Sequence, residues 1–385
     1  MRNLTRNSHP AAREVRENPV FVGIDAAKLK HAVAIAEPGR NGEVRYIGEI
    51  EASAEAVRKL LTRLTAKHGK LHVCYEAGPT GYGLYRQVIG LGHECTVVAP
   101  SLIPRKAGDR VKTNRRDAVQ LARLLRAGEL TAVWVPDEGH EAMRDLGRAR
   151  EAAVDDLPRK RQVISSLLLK HGRVFPGKKT WGATYVRWLQ QQTFAHPAQQ
   201  VVLQEMVLAE RHARERLVRI EAAIAELLPS WSLAPVVEAL QALRGIRIVT
   251  AATIMVEAGD LSRFESPRQF MGYLGLVPGE RSTGNTVRRL GITKAGNGRL
   301  RRALVESAWT YRHPPRTGTV KHYVLEKLPA AVKDIAWKAQ TRLCARYRAL
   351  AGRGKLLTVA VTAVARELAG FVWAIGREVK PVPTA

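Results

Sequence analysis

The sequence predicts an α/β domain at the N-terminus and a mainly α-helical remainder. Two patterns indicate this division. Up to about residue 135, short apolar runs rich in β-branched residues alternate with helical patterns. Beyond that point, apolar residues recur at helical spacing over long segments. With 385 residues, of which 45% are hydrophobic, the chain is long enough for two or three domains with a substantial core.

The predicted elements of the first region form a mixed sheet. Strands are expected over residues 20–26, 31–37, 43–52, 71–76 and 94–99, and helices over residues 53–67, 80–91 and 115–127. Three successive strands, followed by alternating helices and strands, are typical of an α/β domain. We therefore assign residues 1–19 to a basic tail and residues 20–135 to the first domain.

The rest of the chain is predicted to be helical in two parts. Residues 136–234 contain two long stretches with apolar residues at helical spacing, which favour a helical hairpin or coiled-coil linker. Residues 235–378 are expected to form a mainly helical C-terminal domain. Its most apolar stretch is interrupted by Arg366 and Glu367, so we expect a packed helix and no membrane span.

The charge of the chain indicates a polyanionic partner, for which nucleic acid is the best fit. The sequence has 62 Lys and Arg residues against 35 Asp and Glu, a net charge of +27. Attachment to a ribosome or a membrane surface is the alternative. Three widely spaced cysteines match neither a disulfide framework nor a zinc site. We therefore expect a cytoplasmic, nucleoid-associated protein with no membrane partner.

Three carboxylates occupy positions that an α/β sheet could bring together. Asp25 ends the first strand, Glu76 ends the fourth, and Asp117 lies in the first turn of the third helix, on the same face as Asn114. If the first and fourth strands are neighbours, these oxygens share one sheet edge and suit Mg²⁺. The alternative is three unrelated acids: a turn residue, a strand-end cap and a carboxylate at a helix N-terminus.

A basic stretch in the C-terminal region contains a pair of hydroxyl residues. Residues 281–302 hold seven Arg and Lys residues and no acid, and Ser282-Thr283-Gly284 lies near their start. A hydroxyl on a sharp turn among arginines could act as a nucleophile. The alternative is an ordinary polar turn.

Several short motifs follow one another in a characteristic order. The first block carries Gly-Ile-Asp25-Ala-Ala-Lys, Tyr-Glu76-Ala-Gly-Pro-Thr-Gly and Lys-Thr-Asn114-Arg-Arg-Asp117-Ala. The second carries Tyr-Leu-Gly-Leu-Val-Pro, Ser-Thr-Gly and Ile-Thr-Lys-Ala-Gly-Asn, followed by Leu-Arg-Arg-Ala-Leu. In order and number, these motifs resemble the insertion-sequence 110 family of transposases, also called the 116/902 family. The resemblance covers roughly residues 20–135 and 235–312.

The resemblance implies a fold, a chemistry and a set of partners. The first domain would have a RuvC-like, ribonuclease-H-type fold with four acidic positions that bind Mg²⁺. The C-terminal transposase domain would carry a serine that attacks DNA and forms a covalent phosphoserine link. Family members are guided by a structured bridge RNA from their own element, and they act as dimers and tetramers. We therefore expect Mg²⁺ as cofactor, and DNA, guide RNA and further copies of the chain as partners.

The acidic positions of the family map onto this sequence with one departure. Asp25, Glu76 and Asp117 match three of the four acidic positions. The remaining position, usually Asp, is Asn114 here. Its amide oxygen could still ligate a metal ion, but it adds no charge. The expected metal ligands are therefore Asp25, Glu76, Asn114 and Asp117.

The expected nucleophile is Ser282, the only serine in its stretch, and Thr283 is the alternative because it lies next to the glycine. Cations near the acids and near this hydroxyl pair are expected to bind nucleic acid. They are Lys112, Arg115, Arg116, Arg281, Arg288, Arg289, Lys294, Arg299, Arg301 and Arg302.

The sequence thus predicts a transposase or recombinase that cuts and rejoins DNA. A site-specific DNA invertase shares the same motifs. A RuvC-like nuclease would use the acids alone and cleave without a protein–DNA adduct. A decayed transposase that only binds nucleic acid is the non-enzymatic alternative, which the asparagine at position 114 keeps open.

Overall fold

The computed structural model describes residues 19–104, 113–284 and 286–382, and for residues 319–322 it describes the backbone alone. The chain separates into two compact units, Met1–Val135 and Pro136–Ala385. The boundary coincides with the predicted end of the first domain. The predicted basic tail, apart from residue 19, lies outside the described residues.

The first unit is a five-stranded sheet with helices on both faces. In chain order, its elements are β1 (Val20–Ala26), β2 (Lys30–Ala36), β3 (Val44–Glu51), α1 (Ala54–His68), β4 (Leu71–Glu76), α2 (Gly83–Gly90), β5 (Glu94–Val98) and α3 (Asn114–Ala127). The strand order is β3-β2-β1-β4-β5. β1, β2 and β3 pair antiparallel, whereas β4 and β5 run parallel to β1. The predicted mixed α/β fold is therefore confirmed.

Alternation along β1 sends its side chains to two different helices. Val22 and Ile24 are fully buried in an apolar cluster that includes Leu61 of α1. Gly23 faces the other way, towards α3, and its lack of a side chain permits a close approach. A Cβ built on Gly23 would lie 2.4 Å from both the Ala118 carbonyl oxygen and the Ala122 nitrogen. The backbone of α3 therefore rests directly on β1.

The contacts of α3 also fix its direction. Arg126, at its C-terminal end, donates hydrogen bonds to the carbonyl oxygens of Glu37 at 3.1 Å and Gly42 at 2.6 Å. Glu37 directly follows β2, whose last residue Ala36 pairs with Phe21 near the start of β1. The helix therefore runs antiparallel to β1, with its N-terminus at the carboxyl end of that strand.

The second unit is mainly helical. Its elements are α4 (Glu138–Lys170), α5 (Ala183–Gln190), α6 (Pro197–Leu227), α7 (Ala234–Leu240), α8 (Ile248–Ala258), α9 (Pro267–Tyr273), β6 (Pro278–Thr283), β7 (Thr286–Ile292), α10 (Gly298–Ala308), α11 (Thr319–Glu326), α12 (Ala330–Gly352) and α13 (Leu357–Glu378). By length and composition α13 could cross a membrane, but half of its most apolar window is buried inside this unit. This agrees with the predicted packed helix.

Two long helices form the predicted hairpin. Arg150 of α4 pairs with Glu221 of α6 at 2.7 Å, and Arg161 pairs with Glu210 at 2.9 Å. An advance of eleven residues along α4 thus matches a retreat of eleven along α6, as antiparallel helices require. The helical prediction for this segment is confirmed, whereas its separation as a linker domain stays a prediction.

The β6–β7 hairpin is a feature of the second unit that the sequence pattern did not predict. The two strands pair antiparallel, and all their residues are exposed except Gly279 and Ile292, which are partly buried. Hydrophobic alternation marks a strand when one face is buried. A hairpin with two exposed faces carries no such alternation, so residues 278–292 gave no strand signal.

Candidate active site

Two of the predicted acids end neighbouring parallel strands. β1 and β4 pair in a register that places Ile24 opposite Tyr75, so Asp25 and Glu76 come next on each strand. Because the strands run in the same direction, both residues lie at the same edge of the sheet. Both side chains are partly buried. The expectation that the first and fourth strands are neighbours is confirmed.

Helix α3 brings Asp117 and Asn114 to this edge. Since α3 runs antiparallel to β1, its first turn lies near the carboxyl end of that strand. Thr113 caps the helix by accepting a hydrogen bond from the Arg116 N–H at 3.3 Å, as its position before the helix predicts. Asp117 is partly buried and Asn114 is exposed. The fold therefore places all four predicted metal ligands at one end of the β1–β4 pair.

The donor atoms at this edge fit a hard divalent cation. Asp25, Glu76 and Asp117 offer carboxylate oxygens, and Asn114 offers an amide oxygen, which are ligand types that Mg²⁺ prefers. Within the described part of the chain, however, no group of three or more His, Cys, Asp or Glu side chains is arranged to hold a metal ion. The fold assembles the positions without forming a finished coordination shell.

Basic residues flank the acids on the first turn of α3. The guanidinium carbon of Arg115 lies 5.3 Å from the centre of the Tyr46 ring on β3, a cation–π distance. Arg115 and Arg116 are exposed. Lys112, the third predicted cation of this group, lies outside the described residues. We call the end of the β1–β4 pair that carries Asp25, Glu76 and Asp117 the acidic edge. Phosphate groups that approach this edge would therefore meet at least two exposed guanidinium groups.

The predicted nucleophile lies on the β6–β7 hairpin. Ser282 is the fifth residue of β6, and its hydroxyl donates a hydrogen bond to the Glu280 carboxylate, with 2.6 Å between Oγ and Oε1. Thr283 ends the strand, and Gly284 follows with a φ of 58°, in the left-handed region that favours glycine. Both hydroxyl residues are exposed. The serine therefore lies on a strand. The polar turn, which was the alternative prediction for this segment, begins only after Thr283.

The hairpin register separates the predicted residues onto two faces. Glu280 pairs with Arg289 and Ser282 pairs with Val287, so these side chains share one face. Arg281 pairs with Arg288 and Thr283 pairs with Thr286, and their side chains share the opposite face. Of the three predicted hairpin arginines, Arg289 therefore lies on the serine side.

The remaining predicted cations lie in the segment that follows the hairpin. Arg299 and Arg302 both form ion pairs with Glu151 of α4, and Arg302 also approaches Asp155. Arg301 donates a hydrogen bond to the Leu274 carbonyl oxygen at 2.8 Å. These three arginines therefore have contacts within the protein, whereas Lys294 is exposed. Their role in binding nucleic acid stays a prediction.

The structure adds two residues that the sequence reasoning missed, Asn297 and Glu257. Asn297 caps α10 by accepting from the Leu300 N–H at 3.0 Å, and its amide donates to Glu257 at 2.8 Å. Glu257 is almost fully buried, and burial raises the pKa of this carboxyl. The hydrogen bonds from Asn297 and Arg148, together with the positive charges of Arg148 and Arg144, outweigh burial and hold the pKa below its usual value. The asparagine directly before a helix was the available sequence signal. Together they anchor the loop between the hairpin and α10.

Comparisons with known proteins agree with this arrangement. A model for the "Transposase IS116/IS110/IS902 family" matches residues 237–321, and a DEDD-type model described as "Transposase" matches residues 22–172. A putative transposase of Sinorhizobium fredii is 64% identical over 96% of this chain and 91% of its own length. The transposase for the insertion sequence element IS1533 of Leptospira borgpetersenii is 31% identical over 88% of this chain and 98% of its own length.

These matches span both units, from the acidic edge to the hairpin and α10. The relatives match over nearly their whole lengths. The chain therefore belongs to the IS116/IS110/IS902 family and is a DNA-binding transposase of an insertion sequence, with a DEDD-type domain that depends on a divalent metal ion.

Proposed function

We propose that this transposase cuts and rejoins DNA through a covalent phosphoserine intermediate formed by Ser282. The observation that carries the proposal is the exposed Ser282 hydroxyl on an arginine-bearing hairpin inside the matched transposase region. An exposed hydroxyl can reach a phosphodiester without any rearrangement of a core. Conservation of the phosphate bond energy in the serine ester would also explain why the sequence has no ATP-binding Gly-x-x-x-x-Gly-Lys-Ser/Thr motif.

The first unit would supply the metal site for this reaction. Asp25, Glu76, Asn114 and Asp117 would hold Mg²⁺ at the end of the β1–β4 pair. The bound metal would polarise the scissile phosphate and stabilise negative charge on its oxygens. The strand order, with three antiparallel strands followed by two parallel ones, supports a RuvC-like, ribonuclease-H-type assignment for this unit.

The hairpin residues would position the DNA for attack. Arg289 lies on the same face as Ser282 and would bind the phosphate next to the hydroxyl. Arg281 and Arg288 lie on the opposite face and would bind neighbouring backbone phosphates or a second strand. Ser282 would then attack the phosphorus, and a later attack by a DNA hydroxyl on the serine ester would rejoin the strands.

Guide RNA and other copies of the chain complete the proposal. The family resemblance implies a bridge RNA from the same element, and the net charge of +27 supports binding of more than one nucleic acid. The resemblance likewise supports dimers or tetramers, with active sites shared between copies. Cutting and rejoining DNA at an element end would take place in the cytoplasm, at the nucleoid.

The test is a search for the protein–DNA adduct. The protein, the RNA transcribed from the non-coding flank of the gene, and a labelled duplex carrying one element end are incubated with Mg²⁺. We expect a labelled band that survives denaturant and disappears with protease. Ser282→Ala should abolish this band while duplex and RNA binding remain unchanged, since the serine is exposed.

Thr283→Val is the matched variant, because it removes the neighbouring hydroxyl from the other face of the hairpin. It should keep the adduct. An adduct that survives in Ser282→Ala and disappears in Thr283→Val would assign the nucleophile to Thr283. Mg²⁺-dependent cleavage without any adduct would instead support the nuclease alternative.

A further inference from the structure

Glu280 is the nearest polar partner of the proposed nucleophile. Its carboxylate oxygen accepts the hydrogen bond from Ser282 at 2.6 Å, in the range of a short O–H···O⁻ contact. The two residues are two positions apart on β6, so the strand geometry itself directs both side chains to one face. Both are exposed, so a DNA phosphate can reach the hydroxyl.

The charges around this pair are arranged asymmetrically on the hairpin. Glu280 is the only acidic residue in the segment 278–292, according to the sequence. It pairs across the strands with Arg289, so the register places one cation on the serine face beside it. The opposite face carries Thr283 with Arg281 and Arg288. A carboxylate thus accompanies the serine and not the threonine.

A serine hydroxyl needs such a neighbour for the proposed reaction. Its proton must be removed as the oxygen attacks phosphorus, since the neutral alcohol is a weak nucleophile. A general base must lie within hydrogen-bond distance, about 2.6–3.2 Å, of the group that it deprotonates. Glu280 meets this geometric condition without movement of either residue.

We propose that Glu280 is the general base that removes the Ser282 proton during attack on DNA. The inference rests on the proposed role of Ser282 as nucleophile. The bond between Oγ and phosphorus forms while the bond from phosphorus to the leaving deoxyribose oxygen breaks. The Oγ proton passes to the Glu280 carboxylate. The leaving oxygen departs with its bonding electron pair and takes a proton from water.

The same residue acts in reverse when the strands are rejoined. A deoxyribose hydroxyl attacks the phosphoserine, a new phosphorus–oxygen bond forms, and the bond from phosphorus to Oγ breaks. Protonated Glu280 returns its proton to Oγ as the serine leaves, and the attacking hydroxyl releases its own proton to water. One carboxylate therefore serves as base in cleavage and as acid in rejoining.

The test measures single-turnover adduct formation with the labelled element-end duplex, the flanking RNA and Mg²⁺. Glu280→Gln keeps the shape of the side chain and removes its ability to take a proton. We expect adduct formation to slow by about 10²-fold, with the dissociation constant for the duplex unchanged within about twofold. Glu265→Gln, an exposed acid elsewhere in the same unit, is the matched control and should behave as wild type.

The pH profile separates proton transfer from a structural role. The wild-type rate should depend little on hydroxide concentration, because the proton passes to Glu280. The Glu280→Gln rate should instead rise steadily with hydroxide concentration, because solvent becomes the proton acceptor. Two results would overturn the inference. One is a rate of adduct formation in Glu280→Gln that equals the wild-type rate at every pH. The other is a rate that falls only as much as the affinity for DNA falls.

A second substrate distinguishes the base from an acid acting on the leaving group. A bridging sulfur at the scissile bond leaves without needing a proton, so Glu280→Gln should remain slow on this duplex. Recovery of the wild-type rate would overturn the assignment. Loss of the adduct in Ser282→Ala, together with a wild-type rate in Glu280→Gln, would disprove this inference alone. An adduct that survives in Ser282→Ala would disprove the proposed function itself.

Discussion

The acidic edge of the first unit and the β6–β7 hairpin of the second unit are built in opposite ways. The edge belongs to a sheet that is covered on both faces, and α3 rests on it through backbone contact at Gly23. The hairpin has two strands whose faces are almost entirely exposed. An isolated two-stranded hairpin is only marginally stable in water. The fold therefore holds the proposed metal ligands in place, whereas the proposed nucleophile, Ser282, is positioned mainly by local hydrogen bonds.

This comparison predicts the largest catalytic loss from a change at the edge. Asp117→Asn leaves two carboxylates to neutralise a divalent cation. We expect strand cleavage and adduct formation at fixed Mg²⁺ to fall by about 10²- to 10³-fold. DNA binding should persist, because the arginines are unchanged. The measurement is single-turnover cleavage as a function of Mg²⁺ concentration.

Two further variants test whether the effect of Asp117→Asn comes from the loss of a metal ligand. Glu55→Gln removes an exposed carboxylate of α1 in the same unit and should leave the rate unchanged. Asn114→Asp adds a fourth carboxylate and should lower the Mg²⁺ concentration that gives half the maximal rate. Equal rates in wild type and Asp117→Asn would show that this edge does not serve the reaction.

The next largest effect is expected in the stability of the second unit at acidic pH. His140 is buried beside Trp231, and its Nε2 lies 3.0 Å from the Val256 carbonyl oxygen. Burial lowers its pKa from 6.5 to about 4. Between these values the unfolded chain binds the proton and the folded chain does not, so stability falls as the pH drops from 6.5 to about 4. The loss should reach about 3 kcal/mol.

The check is urea unfolding followed by tryptophan fluorescence at several pH values. His140→Gln can still donate to Val256 but cannot take up the proton, so its stability should decline less between pH 6.5 and 4. His212→Gln changes an exposed histidine and should keep the wild-type decline. The same pH dependence in His140→Gln and wild type would contradict the explanation.

A smaller effect is expected from the contact that seats α3 on the sheet. Gly23→Ala places a methyl group 2.4 Å from two backbone atoms, which cannot move as a flexible side chain could. Overpacking of this kind costs about 1–3 kcal/mol in the free energy of unfolding. We expect a lower midpoint of thermal unfolding. We also expect slower metal-dependent cleavage, because α3 carries Asp117 and Asn114.

The control for this change is Gly90→Ala in α2, where a new Cβ meets nothing within 4 Å. Alanine favours a helix over glycine, so stability should stay level or rise. If Gly23→Ala were as stable and active as wild type, the close approach of α3 would not determine the geometry of the edge.

The sheet was predictable because buried strands are apolar, and this pattern is visible in the sequence. Runs such as Val20–Ala26 are apolar and end in a carboxylate, and the five strands lie within one residue of the predicted bounds. The hairpin was not predictable, because its exposed residues carry no alternation of apolar and polar positions. Glu280 was missed for the same reason, since its relation to Ser282 becomes visible only when the segment is known to be a strand.

The sequence by itself determined the mixed α/β domain, the helical remainder, the positively charged character and the family. These properties follow from periodicity, composition and motif order, which are local features of the chain. Only the tertiary structure decided that α3 runs antiparallel to β1 and that Ser282 shares a face with Glu280 and Arg289. Such relations depend on backbone contacts and strand register, because they join residues whose spacing in the sequence carries no signal.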